Sequence, residues 1–449
     1  MGLTREMAEF VVHAQYDQIP KEAVRIIKNA FLDTIGVGIA GKEEAGSKII
    51  REFISSENAH PVSTIWGTKQ KTSPGYAALV NGAMAHALDF DDVNTAAQGH
   101  PSTVIVPAAM AVSEEINASG KDTILSYYVG FEVMAYAGKL LGYNHYKKGW
   151  HSTSTLGVLG ACTAAGKMYG LTVDQMEHAL GIAVSHSTGT RQNFGTMTKP
   201  YHPGNAARSG IVSAGLAKMG FTANREIIEA SLGFMTLLGD RNEPLTKEKI
   251  GEKIEILESG INVKKYACCF ATHRPADAVF EVLKEEKINP DDIEQIIIKA
   301  PEGGFTPVIH SRPRTGLEGK FSVEYVIAAA FIDYKITLDT FTDQSVQRKN
   351  VQDLLRKVRK EEDLSTPIKR SAIDEGFVEL TVFLKDGKIT QKIEFPKGSP
   401  VWPLTQEELQ EKFKDCVKNS LEEDVIARVI DLFNQLEEQK GLKELSKLI

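Results

Sequence analysis

Apolar residues recur every three to four positions through most of the first 260 residues and again after Pro403, which is the spacing of amphipathic helices. A helix predicted to begin at Pro20 carries Val24, Ile27 and Phe31 on one face. It runs into the glycine-rich stretch GVGIAG at 36–41, whose spacing matches a dinucleotide-binding loop. Because these glycines follow a helical pattern and not a strand, we interpret them as a helix end with close packing.

The pattern changes between about residues 265 and 395. The β-branched run IEQIIIKAP at 293–301 predicts a strand, and the alternating segments at 377–396 around an Asp-Gly pair predict a hairpin. A helical segment returns after this region. We therefore predict a mainly α chain, in which a large all-helical domain is formed by both chain ends, 1–264 and 396–449, and a smaller α+β domain is formed by 265–395.

Composition argues against nucleic-acid-binding, membrane and disulfide-rich proteins. The chain has 449 residues and a formal net charge of -7, which argues against a nucleic-acid-binding surface. It has neither a signal-peptide pattern nor an apolar run of membrane-spanning length, so we expect a cytoplasmic protein with no membrane association. None of the four cysteines forms a CxxC pair, which favours a reducing compartment and no disulfide framework.

The stretch TMTKPYHPGNAARSG, residues 196–210, combines the cation Lys199 with His202 and two prolines. Its first half lacks helical periodicity, so we predict a loop that is stiffened by the prolines and that opens into a helix from about Asn205. A cation beside a helix N-terminus is suited to holding an anion. The alternative is a solvated surface turn.

Two histidines precede helices that are rich in small residues. His100 stands before Pro101, which is favoured at a first helical position, and His151 stands before Ser152 and Thr153. A single histidine is most often structural. Two at matching positions, together with a loop lysine, predict converging groups that transfer protons near neutral pH.

The acidic motif DFDD at 89–92 ends another helix of small residues, and it has three interpretations. It is a magnesium site, although no convincing second acidic motif accompanies it. It is a solvated acidic helix end, which the helix dipole disfavours. Or Asp89 is an acid/base or orienting group beside His100, which is the interpretation that we prefer.

The segment NVKKYACCFATHRPADA at 262–278 holds Lys264, Cys268, Cys269 and His273. Adjacent cysteines with one histidine do not have the spacing of a tetrahedral zinc site. Their apolar neighbours favour buried thiols over a nucleophilic cysteine. Lys264 lies near the expected domain boundary, where it would close a site over an anion.

At these residues the chain resembles the MmgE/PrpD family, whose members include 2-methylcitrate dehydratase, cis-aconitate decarboxylase and iminodisuccinate epimerase. The matching motifs are ALDFDD (87–92), GHP (99–101), GWHSTSTLG (149–157), GTMTKPYHPGNAARSG (195–210), KKYACCFATHRPADA (264–278) and, more loosely, PLTQEEL (403–409). The resemblance implies that the α+β domain is a lid on the helical domain. It also implies a homodimer and a reaction that needs neither a metal nor an organic cofactor.

The resemblance also implies the site residues. The active-site positions of the decarboxylase type fall on Asp89, His100, His151, Lys199 and Lys264. Further substrate-binding roles fall on His202, His273 and His310. The chain departs from the decarboxylase pattern at three places, with Val93 in place of a threonine, Ile309 or His310 in place of a tyrosine, and Cys269 in place of a histidine.

These observations predict a cofactor-independent lyase that acts on a small di- or tricarboxylate. Its best-matched reaction is the decarboxylation of cis-aconitate, followed by dehydration of 2-methylcitrate or another family dehydration or epimerisation. Two hypotheses of other classes stay open: a magnesium-dependent prenyl-type enzyme built on DFDD, and a non-catalytic homologue that binds a carboxylate.

Overall fold

The computed structural model describes residues 2–239, 246, 248–306, 308–366 and 376–449. Within it the chain forms two compact units, one of residues 1–261 and 407–449 and one of residues 262–406. The mainly helical character predicted from the apolar spacing is confirmed, and the strands are few and short.

The first unit is built from helices of both chain ends. Its helices up to the end of the first segment are α1 (Leu3–His13), α2 (Lys21–Gly41), α3 (Ala45–Ser56), α4 (Pro74–His86), α5 (Ser102–Ile116), α6 (Gly120–Leu141), α7 (Tyr143–Lys147), α8 (Ser152–Thr155), α9 (Gly157–Met168), α10 (Val173–Val184), α11 (Thr198–Lys218), α12 (Phe234–Leu238) and α13 (Glu255–Glu258). A two-stranded ribbon of β1 (Ser63–Thr64) and β2 (Lys71–Thr72) precedes α4.

Small residues allow the central helices α4, α9 and α11 to approach one another closely. A Cβ atom added at Gly204 of α11 would clash with the backbone of α4 at Leu79, and one added at Gly210 would clash with α9 at Cys162. The glycines of 36–41 lie in the last turns of α2, which ends at Gly41 as predicted, and Gly36 faces Phe413 while Gly38 faces Trp66. Their interpretation as close-packing positions is therefore confirmed.

The predicted loop at 196–204 is wrong, because α11 already begins at Thr198. Pro200 lies in the first turn, where backbone N–H groups have no helical partner, so the ring costs no hydrogen bond there. Pro203 lies deeper and cannot donate to the carbonyl group of Lys199, four residues earlier. The contacts of Gly204 and Gly210 with neighbouring helices stabilise a helix that local propensity disfavours.

The second unit contains a four-stranded sheet with helices α14 (His273–Glu285), α15 (Gly316–Gly319), α16 (Val323–Asp333), α17 (Asp343–Val346) and α18 (Lys349–Leu355). Its strands are β3 (Ile293–Pro301), β4 (Val358–Asp363), β5 (Val378–Leu384) and β6 (Gly387–Ile393), in the spatial order β4-β3-β5-β6. The predicted strand and hairpin are both confirmed, with β3 parallel to β4 and antiparallel to β5.

The chain then returns to the first unit through α19 (Gln406–Val417), α20 (Glu423–Asn434) and α21 (Lys443–Leu448). All four cysteines are free and buried, which confirms the interpretation of buried thiols. Burial raises the pKa of the Cys268 thiol to about 12, so this group is a poor nucleophile at neutral pH. Within the described residues no helix is both long and apolar enough to span a bilayer.

Candidate active site

The segment between α4 and α5 carries the acidic motif and folds back on itself. A bridge between Asn94 and Gly99 closes this loop, and Asn94 anchors it through its side-chain amide to the carbonyl group of Gly260 at 2.7 Å. Asp89 has a φ of 54°, in the left-handed region that aspartate tolerates better than most residues. The turn at Asp89 separates its carboxylate from those of Asp91 and Asp92, and each meets a different partner.

Asp91 is fully buried between two histidines. Its Oδ2 lies 2.7 Å from Nδ1 of His86, the last residue of α4, and 2.9 Å from Nδ1 of His100. The two imidazole rings meet edge to face, with centroids 4.5 Å apart. Burial alone would raise the pKa of Asp91, but electrostatic interactions and hydrogen bonds with the two imidazole groups hold it well below its usual range. Burial lowers the pKa of His86 to about 4, so His86 is neutral at pH 7.

His151 lies on the other side of His86, with ring centroids 5.9 Å apart, at the N-terminus of α8. Its Nδ1 lies 2.9 Å from Nδ1 of His202 on α11, so one ring donates and the other accepts. Phe194 packs edge-on against the His151 ring at 4.9 Å. Burial, followed by the neighbouring positive charges, holds the pKa of His151 well below its usual range.

Lys199 brings a cation to this cluster from the first turn of α11. Its Nζ lies 2.7 Å from Oδ1 of Asp89 and 5.4 Å from the ring centroid of Phe194. The structure therefore brings Asp89, His100, His151, Lys199 and His202 together within the first unit. It pairs Asp89 with Lys199 and assigns the orienting contact with His100 to Asp91, where the sequence interpretation had Asp89.

The two other interpretations of DFDD do not fit. A solvated acidic end is wrong, because Asp91 and Asp92 are both buried. A shared magnesium ion needs carboxylates that converge, whereas Asp89 pairs with Lys199, Asp91 with two histidines and Asp92 with Ser102. In the part of the chain that the structure describes, the group spaced for a metal ion is His86, Asp89 and His100, whose two nitrogen donors are not the ligands that magnesium prefers.

A second layer of buried polar groups supports the loop from behind. Asp92 accepts hydrogen bonds from the backbone and hydroxyl group of Ser102, whose oxygen lies 2.6 Å from the hydroxyl group of Tyr127. Burial raises the pKa of Asp92 to about 7. Lys412 of α19 donates to the carbonyl oxygen of Phe90 at 2.9 Å and forms a buried ion pair with Asp33 at 2.6 Å. The C-terminal segment thus fixes the backbone between Asp89 and Asp91.

The remaining predicted residues lie in the second unit. Lys264 is buried, and His273 is buried at the start of α14 with its ring stacked on Phe270 at 4.9 Å. His310 is half-buried, and its backbone N–H donates to the carbonyl group of Phe321. Their assignment to a substrate site stays a prediction.

Sequence reasoning missed His86 and Asp91. His86 ends a helix whose other residues are mostly small and apolar, and Asp91 was one of three acidic residues with no local feature to distinguish it. His86 lies on a helix and Asp91 lies five positions later in a loop, so no periodic pattern relates the two residues. Only the folded-back loop reveals the pairing.

Comparison with known proteins places these residues in a family context. The family model of the MmgE/PrpD N-terminal domain matches residues 5–246, and that of the C-terminal domain matches residues 266–438. A cis-aconitate decarboxylase of Mus musculus is 31% identical over all of this chain and 93% of its own length, and one of Aspergillus terreus is 28% identical over 100% and 96%. A mitochondrial 2-methylcitrate dehydratase of Yarrowia lipolytica is 22% identical over 96% and 87%.

Proposed function

The chain belongs to the MmgE/PrpD family, and from that premise and the geometry of its histidine cluster we propose that it is a lyase that decarboxylates cis-aconitate to itaconate. The observation that carries the proposal is the gathering of Lys199 and four histidines around a folded-back acidic loop in a chain of net negative charge. The full-length similarity to cis-aconitate decarboxylases supports this reaction over others of the family.

The reaction needs one proton and a place for negative charge. The bond between the methylene carbon and its carboxylate breaks, and its electron pair forms a new terminal C=C bond. The electron pair of the original C=C bond then binds a proton at the carbon of that bond that lies farther from the departing carboxylate. The substrate trianion thereby becomes a dianion, one carbon dioxide molecule leaves and one proton is consumed.

Each residue of the cluster has a role in the reaction that its contacts support. Lys199 binds a substrate carboxylate and stabilises the charge that develops as carbon dioxide leaves, while Asp89 holds the ammonium group in place. His100 and His151 are the proton-transfer groups. The pairing of His151 with His202 fixes the orientation of the His151 ring. No step requires a metal ion or an organic cofactor.

A second candidate is the dehydration of 2-methylcitrate. The family relationship to a 2-methylcitrate dehydratase favours it, and the same two histidines would remove a proton and assist the departure of hydroxide. An epimerisation would use them on opposite faces of the substrate. The cis-aconitate reaction ranks first because the decarboxylases are the more similar relatives over the whole chain.

Further roles follow from the family. Lys264 is assigned to the active site as a cation that binds a substrate carboxylate, and Lys264→Ala is expected to raise KM. His202, His273 and His310 are assigned to substrate binding, with the α+β unit in the role of a lid. We place the protein in the cytoplasm as a homodimer. Exposed apolar side chains on α3 and α11, among them Phe53 at 59% and Val212 at 37%, offer a surface that a second copy would cover. Sedimentation equilibrium measures that assembly directly.

A parallel screen of carboxylic acids tests the function. Purified protein in excess chelator is incubated with cis-aconitate, 2-methylcitrate and related acids while carbon dioxide release and double-bond absorbance are followed together. Carbon dioxide release from cis-aconitate supports the proposal, and absorbance change from 2-methylcitrate without carbon dioxide favours the dehydratase. Binding without turnover of any acid would indicate the non-catalytic homologue, and activity that chelator abolishes would contradict a metal-free mechanism.

A further inference from the structure

We propose that Asp91 is a positioning residue that holds His100 by Nδ1 and so makes Nε2 of His100 the atom that delivers the proton to the substrate. This role deepens the proposed decarboxylation and rests on it for its kinetic consequence, but its structural basis is independent of the substrate. Neither Asp91 nor its second partner, His86, is among the residues that the family resemblance assigned to the site.

The hydrogen-bond inventory around His100 sets its tautomer. Nδ1 lies 2.9 Å from a carboxylate oxygen of Asp91 and 2.8 Å from the backbone carbonyl oxygen of Asp92. Both neighbours only accept hydrogen bonds when Asp91 is ionised, so Nδ1 must carry a hydrogen atom. In the neutral ring the lone pair is then on Nε2, and in the charged ring Nε2 carries the transferable proton.

His86 keeps Asp91 ionised and in place. It donates from Nδ1 to the same oxygen that His100 uses, at 2.7 Å, and its ring is neutral because it is completely buried. Its Nε2 and the Oδ1 of Asp91 are buried, and neither atom has a hydrogen-bond partner among the described residues. The Asp91 carboxylate therefore interacts mainly with the two imidazole groups. His86 stabilises its negative charge by a hydrogen bond and adds no positive charge.

The same arrangement separates the roles of the two proton-transfer candidates. The Nδ1 atom of His100 faces the Asp91 carboxylate, whereas Nδ1 of His151 faces the imidazole ring of His202. Among the described residues, further charged or titratable groups near His100 include Asp89, paired with Lys199, Asp92, and the rings of His86 and His151. His100 thus has a carboxylate on its Nδ1 side, whereas His151 has a second imidazole there and is held neutral.

Asp91→Asn is the principal test. The amide keeps the size of the side chain but removes the charge and is able to donate to Nδ1, so it permits the wrong tautomer; an equivalent change in a serine-protease triad lowers kcat by about 10⁴. We expect kcat for cis-aconitate to fall about a hundredfold or more, with KM nearly unchanged. The pH profile of kcat/KM should also shift, because asparagine removes the charge beside the His100 ring.

Two His86 variants provide a matched pair. His86→Asn keeps an N–H donor near the position of Nδ1 and should restore most of the activity that His86→Leu loses. Equal losses of kcat in the two His86 variants would overturn the proposed role. So would a kcat of Asp91→Asn within about threefold of the wild type, together with an unshifted pH profile. Circular dichroism and thermal melts establish that each variant is folded.

A measurement without substrate separates this role from the proposed function. Nitrogen-15 NMR of histidine-labelled wild-type protein, with the His100 signals assigned through His100→Gln, should show hydrogen on Nδ1 of His100 in its neutral form. Hydrogen on Nε2 of neutral His100 would overturn the role even if Asp91→Asn failed to fold. If the wild type turns over no acid but shows the expected tautomer, the proposed reaction fails and the positioning contact stands.

Discussion

At the level of single residues, the site is a set of charged side chains. Each would be costly to remove from water alone, and each is stabilised by its partners. The cation of Lys199 lies on the carboxylate of Asp89, and the anion of Asp91 is shared by two imidazole groups. The Lys199–Asp89 pair is partly buried and Asp91 is fully buried, and a buried charge persists only when it is paired and hydrogen-bonded. Each replacement therefore changes both catalysis and the balance of charge around it.

Lys199→Met removes the cation while keeping much of the side-chain volume. We expect kcat/KM for cis-aconitate to fall about 10²- to 10³-fold, because the group that stabilises developing charge is lost. Lys218→Met is the control, since Lys218 lies at the other end of the same helix, over the ring of Tyr169. Steady-state kinetics decide the point, and wild-type activity in Lys199→Met would remove this lysine from the mechanism.

The pH dependence of stability reports the neutral state of His86. Its pKa is about 4 in the folded protein and 6.5 ordinarily, so between these values the unfolded chain binds more protons. This group therefore contributes stability that is lost as the pH falls from 6.5 to 4, by at most about 1.4 kcal/mol per pH unit. Asp92 acts in the opposite direction, because its raised pKa of about 7 favours the protonated folded state at low pH.

Comparison with His86→Asn isolates the histidine contribution from that of Asp92. Urea unfolding at pH 7 and pH 5 should show a larger loss of unfolding free energy in the wild type than in the variant. Equal losses in the two proteins would mean that His86 is already charged in the fold.

At the scale of elements, α11 is the helix that carries the site, and its packing compensates for its sequence. It contributes Lys199 and His202, contains two prolines, and packs through glycines against α4 and α9. The other helices and the strands with clear periodicity, such as α2, α10 and β3, were predictable from the sequence. The start of α11 was not, because the stabilising contacts involve residues more than 40 positions away that local propensity does not encode.

Two glycines of α11 test this account. Gly204→Ala would place a methyl group against the backbone of α4 at Leu79 and should lower the free energy of unfolding by about 1–3 kcal/mol or more. Gly215→Ala meets no atom of the described part of the chain within 4 Å and should leave stability unchanged or raise it by about 0.5–1 kcal/mol. Denaturant unfolding of both variants distinguishes them. A neutral Gly204→Ala would show that the close approach does not determine the position of α11.

At the scale of the whole molecule, the chain ends cooperate in the first unit. Lys412, which follows the α+β unit in sequence, pairs with Asp33 and fixes the carbonyl group of Phe90 beside the site. The sequence predicted that the C-terminal helices return to the helical domain, and it predicted His100, His151 and Lys199 as converging groups. It did not predict this ion pair, because neither Asp33 nor Lys412 belongs to a recognisable motif.

Lys412→Met should destabilise the protein by about 3–5 kcal/mol, because it leaves the Asp33 carboxylate buried without its cation. Adding Asp33→Asn should recover part of the loss. Lys414→Met, an exposed position of the same helix, is the control and should be nearly neutral. Chemical denaturation of all variants at one pH gives their free energies of unfolding. If Lys412→Met is as stable as Lys414→Met, the Lys412–Asp33 ion pair does not stabilise the fold.

Protonation of carbon as carbon dioxide departs is the chemical step assigned to this cluster. It is tested most directly by incubating the wild-type protein with cis-aconitate in heavy water and excess chelator, with product analysis by NMR and carbon dioxide measured in parallel. We expect one carbon dioxide per itaconate, and itaconate with one deuterium on the methylene carbon that bears a carboxylate. Recovery of unchanged cis-aconitate, or its hydration without carbon dioxide, would contradict it.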